Sequence, residues 1–243
     1  LGAGRNASRC GNPLDTTSPL SVLQHLKILA AVEDDDLRRE RDVLKWLASR
    51  LPVPRVLHFS QESQTQHLLV TEGPGLSAAD ELQTTEPEQV VSRLAEALRM
   101  VHDLDIPACP FDMRLDVKLA EARARIDSGL VDEGDFEGAN KGRSAMDIYR
   151  ELVATRPNEE ELVFTHGDYC LPNIMLKDGA VSGFLDLGRA GIADRYTDLA
   201  PAARSIRHNM GGERLVDLFF DAYGLGEVDW RKVDYYILLD ELF

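Results

Sequence analysis

The sequence has few cysteines and no apolar run long enough to cross a bilayer. Its three cysteines, Cys10, Cys109 and Cys170, stand far apart and lack the spacing of a metal site. Their odd number and wide separation favour a reducing compartment, so we predict a cytoplasmic location. No signal-peptide pattern opens the chain. Because no segment approaches the roughly 20 apolar residues of a membrane span, we expect no membrane partner.

Basic side chains are also in short supply, since 27 Lys and Arg stand against 42 Asp and Glu, a formal net charge of −15. Binding to nucleic acid depends on neutralising phosphates with surplus Lys and Arg, so we expect no nucleic-acid partner. An acidic surface attracts cations and small basic ligands instead. Solubility is the simpler explanation of the charge alone. The overall composition is otherwise that of an ordinary globular protein.

The first third of the chain predicts a small mixed region. Residues 1–24 combine Gly, Asn, Ser, Thr and Pro without a sustained period, which is typical of a loop. A helical period then runs over 34–51, with three aspartates at its amino end, where the helix dipole favours negative charge. Two strand-like runs, "RVLHF" and "HLLVTE", follow. Gly73-Pro74-Gly75 then forms a break suited to joining two lobes.

The remainder of the chain is predicted to be mainly helical. Apolar residues recur at helical spacing over 86–104, 112–129, 144–155, about 195–209, 213–223 and 229–242. An acidic loop separates the second of these helices from the third, and strand-like runs at "LVFTHGD" and "VSGFLD" precede the fourth. Pro201 falls inside a predicted helix, where it would remove a backbone hydrogen bond unless it lies in the first turn.

Three polar residues stand at fixed spacing in "FTHGDYCLPNIMLKDGAVSGFLD". Asn173 follows Asp168 by five residues, and Asp186 follows Asn173 by thirteen. Phosphoryl transfer from ATP requires a carboxylate that orients the acceptor hydroxyl, and oxygen ligands that hold Mg²⁺ against the phosphates. The same two spacings separate the catalytic aspartate, its asparagine and the metal-binding aspartate of protein kinases. An Asp and an Asn after a strand are usually a turn or cap, but the third residue favours catalysis.

A kinase also needs a lysine that contacts the ATP phosphates and a helix glutamate that orients it. Lys27 lies in the strand-like run "QHLKILA", and Glu40 lies on the next predicted helix. A lysine is usually a solvated surface group, so this pair gains its weight from its place upstream of the Asp168 motif. We therefore predict that Lys27 and Glu40 belong to a nucleotide site.

Polar residues around the motif are predicted to have other roles. The Gly188–Arg189 turn would present a guanidinium near the phosphates. Asp194 and Asp198 are predicted to bond the backbone of the catalytic loop or to cap the next helix. His166 is predicted to be structural. A zinc site is rejected, because no second histidine stands at ligand spacing.

These residues resemble those of a known enzyme family. The stretches "VFTHGDYCLPNIML" and "GFLDLGRAGIADRYTDLA", with "LPVPRVLHF" upstream and "YYILLDELF" at the end, are similar to aminoglycoside 3′-phosphotransferases. The resemblance runs from about Lys27 to Phe243. Its HGD-x4-N core is shared with choline kinases and other antibiotic kinases, whereas the "GRxGxADRYxDLA" and "LLDEhF" patterns (h, an apolar residue) are more specific to this family.

The resemblance implies an α+β, protein-kinase-like fold with two lobes. Residues 1–72 would form a small, β-rich nucleotide-binding lobe, incomplete or irregular at 1–24. A hinge would lie near Glu72–Gly73, and both of these residues would contact the nucleotide. Residues 73–243 would form a larger, mainly helical lobe that carries the catalytic residues and binds the aminoglycoside.

The resemblance also implies the reaction, which is transfer of the γ-phosphoryl group of ATP to the 3′-hydroxyl of kanamycin- or neomycin-like drugs, giving antibiotic resistance. Asp168 would be the catalytic base or hydroxyl-orienting residue, and Asn173 and Asp186 would bind Mg²⁺. Lys27 would hold the phosphates with Glu40 behind it. Arg189 would lie beside the acceptor site.

A polycationic drug needs carboxylates that pair with its ammonium groups. The resemblance places two acidic sets over the drug site: the loop residues Asp132, Glu133, Asp135 and Glu137, and the final residues Asp240, Glu241 and Phe243 with its terminal carboxylate. Within the loop we choose Asp135 and Glu137 as drug ligands. A solvated acidic edge is the alternative for each set.

The chain departs from the family pattern in two places. After "AARSIR" the family often carries acidic residues that face the drug, whereas this chain has His208 and Asn209, a change that would narrow the drug range. Residues 1–24 do not alternate like the family's two strands and phosphate-covering loop, for which "LGAGRNAS" is a weak candidate. Because the chain starts at Leu1 rather than Met, we expect a fragment or processed form, from truncation or a shifted reading frame upstream.

Two other functions stay open. The acceptor would be choline, a sugar or a macrolide if only the HGD-x4-N core were informative. A truncated, non-catalytic relative that still binds the drug would fit the irregular residues 1–24 but not the intact motif.

Overall fold

The computed structural model describes residues 24–30, 37–63, 65–136 and 138–243. The predictions for 1–23, for the aspartates at 34–36 and for Glu137 as a drug ligand lie outside these residues. Among the described helices, none is both long enough and apolar enough to cross a bilayer.

The N-terminal region is an antiparallel sheet with a helix against it. Its strands are β1 (Gln24–Ala30), β2 (Val56–Glu62) and β3 (Thr65–Thr71), in the order β1-β3-β2. The helix is α1 (Leu37–Leu47), which packs against β2 and β3. The two strands β2 and β3 confirm the predicted strand-like runs. In β1, Lys27 pairs in register with Leu68 of β3.

The apolar spacing of α1 explains why it buries one face and carries an acid inward. Leu37, Val43, Leu44 and Leu47 are all buried on that face. Glu40 lies on the same face, three residues after Leu37, and is also buried. A buried carboxylate needs a partner that offsets its desolvation, so the packing of α1 already requires a cation near Glu40.

The C-terminal region is mainly helical, as predicted. Its helices are α2 (Ala78–Glu81), α3 (Pro87–His102), α4 (Leu115–Ser128), α5 (Ala145–Ala154), α6 (Tyr196–Met210), α7 (Glu213–Tyr223) and α8 (Trp230–Asp240). Asp229 caps α8 with its carboxylate, and Gly224 ends α7 in the left-handed conformation. Pro201 lies inside α6, past the first turn, so it does remove a helical hydrogen bond.

Short strands frame the Asp168 motif. The strand order β4-β6-β7 joins β4 (Leu76–Ser77), β6 (Ile174–Lys177) and β7 (Ala180–Phe184), and β5 (Leu162–Thr165) pairs with β8 (Gly191–Asp194). The predicted strands at "LVFTHGD" and "VSGFLD" are therefore confirmed as β5 and β7. They do not pair with each other, and their partners β6 and β8 were not predicted.

One buried apolar cluster extends from α1 to α8 beneath the motif. Phe164 of β5 and Phe184 of β7 are fully buried in it, and so is Tyr169, whose hydroxyl donates to the Leu94 carbonyl at 2.7 Å. This packing fixes the strand ends from which the motif residues project. The α+β class is confirmed, and the division into lobes at 72/73 stays a prediction.

Candidate active site

The loop between β5 and β6 brings Asp168 and Asn173 together. A 3-10 turn, Leu171–Asn173, closes this loop. The Asn173 side chain donates from Nδ2 to Asp168 Oδ2 at 2.9 Å and to the Asp168 carbonyl at 3.0 Å. Because both bonds come from one amide nitrogen, Asn173 orients the Asp168 carboxylate and leaves its own Oδ1 as an acceptor.

A buried carboxylate supports this loop from below. Asp198 of α6 is completely buried and accepts the backbone N–H groups of His166 at 2.7 Å and of Gly167 at 2.8 Å. The ring of His102 lies 3.1 Å from the same carboxylate and also contacts the Tyr223 hydroxyl at 2.8 Å. Hydrogen bonds to a charged acceptor are strong ones. The predicted bonding of Asp198 to the catalytic-loop backbone is confirmed.

Asp194 has a different local role. Its Oδ1 accepts the backbone N–H of Tyr196 at 2.9 Å, at the start of α6. Its Oδ2 accepts from the Glu161 backbone at 3.2 Å and from Lys232 Nζ at 2.7 Å. Of the two predicted alternatives for Asp194, capping is therefore the one observed.

His166 is buried beneath the loop. Its Nδ1 accepts the backbone N–H of Asp168 at 3.4 Å, and its ring meets Tyr169 edge-on. Burial lowers the pKa of His166 below its ordinary value, although Asp198 and Asp168 oppose that shift. A neutral, buried ring that contacts the backbone agrees with the predicted structural role.

Lys27 bridges Glu40 and Asp186, the two acids predicted to lie near the nucleotide and its metal ion. Its Nζ lies 2.7 Å from Glu40 Oε1 and also contacts Asp186 Oδ1. Burial by itself lowers the pKa of Lys27, but the charges of Glu40 and Asp186 outweigh it, and the pKa is raised overall. The cation that buried Glu40 requires is thus Lys27.

Asp186 has an unusual backbone conformation. Its φ is 57°, in the left-handed region that residues with a side chain rarely occupy, at a cost of about 1–2 kcal/mol. The preceding residue, Leu185, donates its N–H to the Asn173 carbonyl at 2.9 Å. Such strain is characteristic of functional sites, and here it turns an exposed carboxylate towards Lys27.

A cavity of about 250 Å³, which we call the Lys27 cavity, collects the residues predicted for nucleotide and metal. Its polar lining includes Lys27, Glu40, Glu72, Asn173 and Asp186, beside Gly73. Leu44, Val70, Met175 and Leu185 supply an apolar wall. A small charged set beside an apolar slot suits a ligand with a flat ring and an anionic tail.

A second cavity of about 530 Å³, which we call the Phe243 cavity, lies on the other side of the loop. Its lining residues are Asp135, Phe136, Cys170, Pro172, Pro201, Arg204, Ser205, His208, Asn209, Asp240, Glu241 and Phe243. The predicted Asp135, Asp240, Glu241 and Phe243 therefore meet here, although their sequence positions are far apart. His208 and Asn209, which stand where the family often carries acidic residues, also line this cavity.

The two acids of the last turn have protein partners in this cavity. Arg204 forms an ion pair with Asp240, and Asn140 Nδ2 donates to Glu241 Oε1 at 3.1 Å. Sequence analysis did not predict a role for Arg204. The available signal was its position in "AARSIR", directly before the residues predicted to face the drug. In the acidic loop, Asp132 and Glu133 serve local structure, because they accept the backbone N–H groups of Gly134 and Ala145.

Three cations surround the Phe243 ring. Lys118 Nζ lies 3.8 Å from the ring centroid, and the guanidinium carbons of Arg125 and Arg189 lie 5.5 and 5.7 Å from it. Arg189 also donates to the Phe243 carbonyl at 3.1 Å, and Arg125 to the Leu242 carbonyl at 2.9 Å. Arg189 thus lies on the side of the Phe243 cavity. Lys118 and Arg125 were not predicted; their seven-residue spacing on one face of α4 was the available signal.

Cys170 lines the Phe243 cavity and lies close to Asp168. Burial raises the pKa of its thiol to about 12, and the Asp168 charge adds to the shift. The thiol is therefore protonated and unreactive near neutral pH. Both described cysteines, Cys109 and Cys170, are free.

Comparison with known proteins identifies the family. The profile of the "Phosphotransferase enzyme family" matches residues 26–236. An aminoglycoside 3′-phosphotransferase of Enterococcus faecalis is 44% identical over 211 residues, covering 86% of this chain and 79% of that protein. The chain belongs to the aminoglycoside 3′-phosphotransferase family.

Solved structures agree with this membership. The aminoglycoside 3′-phosphotransferase of type VIII is 33% identical, with a TM-score of 0.82 and coverage of 90% of this chain and 85% of that chain. The aminoglycoside phosphotransferase APH(3'')-Id of Streptomyces rimosus, solved with ADP and streptomycin, is 29% identical, with a TM-score of 0.80 and coverage of 90% and 86%. The fold expected from the family resemblance is confirmed.

Proposed function

We propose that the protein transfers the γ-phosphoryl group of ATP to the 3′-hydroxyl of kanamycin- and neomycin-type aminoglycosides and thereby confers resistance. The carrying observation is the position of the 168–173 loop between two cavities. Asn173 lines the Lys27 cavity, whereas Cys170 and Pro172 line the Phe243 cavity. This position supports the proposal that Asp168, on the same loop, acts on a hydroxyl that meets a phosphate between the two cavities.

Asp168 is proposed as the residue that orients the acceptor hydroxyl and takes its proton. Its Oδ2 is fixed by the bond from Asn173, and Asp198 holds the backbone just before it. A carboxylate held in one orientation reduces the cost of aligning the hydroxyl with the phosphorus atom. Positioning of this kind supplies most of the catalysis in phosphoryl transfer.

Lys27 is proposed to bind the phosphates of ATP. Glu40 holds its ammonium from behind, and the raised pKa of Lys27 keeps it charged. Lys27 also contacts Asp186, so that contact would be shared or exchanged when the phosphates arrive. The apolar wall around Val70 and Leu185 is proposed to contact the base, with Glu72 and Gly73 at its edge.

The residues present fit a magnesium ion. Asn173 has its Oδ1 available beyond the bonds made by its Nδ2, and Asp186 adds an exposed carboxylate in the same cavity. These are hard oxygen ligands of the kind that Mg²⁺ prefers. No group of three or more His, Cys, Asp or Glu within the described ranges forms a protein-only metal site, so phosphate oxygens would complete the coordination. Bound there, Mg²⁺ would offset the charge on the β- and γ-phosphates.

The Phe243 cavity is proposed to bind the aminoglycoside. Asp135, Asp240 and Glu241 present carboxylates to it, and such groups pair with ammonium groups of the drug. Arg204 already pairs with Asp240, so Asp135 and Glu241 are expected to contribute more of the attraction. His208 and Asn209 place no carboxylate on their part of the wall, so fewer ammonium groups of the drug are expected to pair there.

A direct assay tests the proposal and separates its rivals. Purified protein is incubated with ATP, Mg²⁺ and kanamycin, and the readouts are ADP release and the mass gain of one phosphoryl group on the drug. A 3′-deoxy aminoglycoside serves as a matched acceptor that should bind without turnover. Phosphorylation of that analogue would contradict the regiochemistry. Turnover of choline, a sugar or a macrolide but not of kanamycin would favour a kinase of another small hydroxylated molecule. Binding of kanamycin without turnover would favour a non-catalytic relative.

A further inference from the structure

Helix α1 is attached to the C-terminal region through Arg39. The guanidinium of Arg39 donates from Nε to the Gly188 carbonyl and from Nη2 to the Ala190 carbonyl, both at 2.8 Å. The side chain is partly buried and also lies 5.5 Å from the centroid of the Phe111 ring. One planar group thus spans two carbonyls of a segment about 150 residues away, which the single ammonium of a lysine cannot reproduce.

The segment that Arg39 binds borders both sets of catalytic groups. It begins two residues after Asp186 and contains Arg189. On one side it packs against the catalytic loop so closely that a Cβ on Gly167 would collide with the Arg189 carbonyl. On the other side it packs against α1, where a Cβ on Gly188 would lie 3.9 Å from Glu40 Cβ. Any shift of this segment would therefore be felt at Glu40, Asp186 and the catalytic loop.

The far end of α1 has an attachment of its own, which shares the Phe111 ring with Arg39. Trp46 stacks on Phe164 with a centroid distance of 5.1 Å and meets Phe111 edge-on at 6.2 Å. Its indole N–H donates to the Ala108 carbonyl at 3.3 Å. Phe164 belongs to β5, directly before the catalytic loop. Trp46 thus holds one end of α1, and Arg39, next to Glu40 in the chain, holds the other.

We propose that Arg39 is a positioning residue that holds α1 against the 188–190 segment and so keeps Glu40, Lys27 and Asp186 in one arrangement before nucleotide binds. The role of that arrangement in binding ATP rests on the proposed function. Arg39 acts through Glu40 and the Asp186 segment and does not contact the substrate.

Arg41 on the same helix offers a matched control. Its guanidinium lies 4.6 Å from the centroid of the Phe59 ring and pairs with the adjacent Asp42 at 2.8 Å. Both of these contacts stay within α1 and β2. Arg41→Gln therefore removes the same charge from α1 without cutting the attachment.

The test compares Arg39→Gln, Arg39→Lys and Arg41→Gln with the wild type. For each protein, the kcat and KM values with ATP and kanamycin, the Kd of a non-hydrolysable ATP analogue and thermal unfolding are measured. For Arg39→Gln we expect the KM for ATP and the analogue Kd to rise about tenfold or more, because two charge-assisted bonds are lost. The KM for kanamycin should change less, because Arg189 keeps its own bond to Phe243 when the Arg39 bonds are lost. The KM for ATP and the analogue Kd of Arg39→Lys should fall between those of Arg39→Gln and the wild type. Those of Arg41→Gln should equal the wild-type values.

The outcomes separate positioning from general stability. A purely structural role would lower the melting temperature and the active fraction while leaving the analogue Kd of folded protein unchanged, and that result would overturn the proposal. So would an equal Kd change in Arg41→Gln. If Arg39→Gln does not fold, Arg39→Lys decides by the same Kd. If the wild type binds the analogue but does not phosphorylate kanamycin, the proposed substrate fails while the Arg39 proposal is still decided by the Kd. Absence of analogue binding by the wild type would overturn both.

Discussion

The two cavities on either side of the catalytic loop are built in different ways. The Lys27 cavity is small, and its charged groups already satisfy one another through the Lys27, Glu40 and Asp186 contacts. The Phe243 cavity has about twice the volume, and its charged residues come from a loop, from α6 and from the end of the chain. The first arrangement suits a ligand that never varies, such as ATP. The second suits drugs that differ in the number and placement of their ammonium groups.

The difference predicts which kinetic constant each side controls. Substitutions around Lys27 should act on the KM for nucleotide, and substitutions around Phe243 should act on the KM for the drug. Residues of the loop between them should act on kcat. Each variant below either preserves this division or breaks it.

The largest effect is expected at the loop itself. Asp168→Asn keeps the shape of the side chain but removes the base, so kcat with ATP and kanamycin should fall about 10²–10⁴-fold. The Kd of kanamycin, measured by calorimetry, should change little, because the acids proposed to attract the drug are untouched. Asp178→Asn is the matched control in the β6–β7 turn, where Asp178 is exposed. Undiminished turnover in Asp168→Asn would remove Asp168 from the mechanism.

A smaller effect is expected on the nucleotide side. Glu40→Gln removes the negative charge that lies 2.7 Å from Lys27 Nζ. The contact between Lys27 and Asp186 is kept. A hydrogen bond to a charged group contributes about 1.5–3 kcal/mol, so the KM for ATP should rise about tenfold or more. The KM for kanamycin should not follow. Glu62→Gln, an exposed acid of β2, is the control, and a parallel rise in both KM values would contradict the division.

Local sequence patterns predicted the parts of the fold and site that are contiguous in the chain. The long helices were recognisable from their apolar period, and Asp168, Asn173 and Asp186 were recognisable because their spacing is set within one stretch. Strands β6 and β8 were missed because four residues are too few to display a period; β5 is equally short and was recognised only as the apolar run that leads into the Asp168 motif.

Contacts between segments that are distant in the chain could not be predicted from local sequence patterns. Arg39 bonds a carbonyl 149 residues away, and Arg125 bonds one 117 residues away. Each looks like an ordinary surface arginine until the fold brings its partner near. On the acceptor side, sequence reasoning found the acids and Arg189 but missed Arg204, Lys118 and Arg125.

The next effect concerns the cations around Phe243. Burial lowers the pKa of Lys118 from the ordinary 10.5 to about 8, with Glu121 opposing the shift. Between those values the unfolded chain binds more protons than the folded one, so the stability of the wild type should rise with pH there. Below pH 8 both states hold the proton, and the full cost of burying the charge remains.

Lys118→Met removes that titration while keeping an apolar stem beside Phe243. From pH 7 to pH 10 the free energy of unfolding of the wild type should increase relative to Lys118→Met by about 1–3 kcal/mol. Denaturant unfolding at several pH values measures this difference. Lys45→Met, at an exposed position of α1, controls for the loss of one lysine charge. A difference that stays constant with pH would show that Lys118 is not desolvated by the fold.

The smallest effect is expected from a single acid of the Phe243 cavity. Glu241→Gln keeps an oxygen for the bond from Asn140 but removes a negative charge from the cavity wall. A partly exposed ion pair contributes up to about 1 kcal/mol, so the KM for kanamycin should rise about two- to fivefold while the KM for ATP stays constant. Because the attraction is electrostatic, the ratio of mutant to wild-type KM should shrink as salt is raised. Glu159→Gln, in a separate surface cavity, should leave both constants unchanged. A change in KM that does not depend on salt would mean that Glu241 acts by shaping the cavity rather than through its charge. The Phe243 cavity would then bind its ligand through fixed contacts, as the Lys27 cavity does, and not through an open, acidic lining.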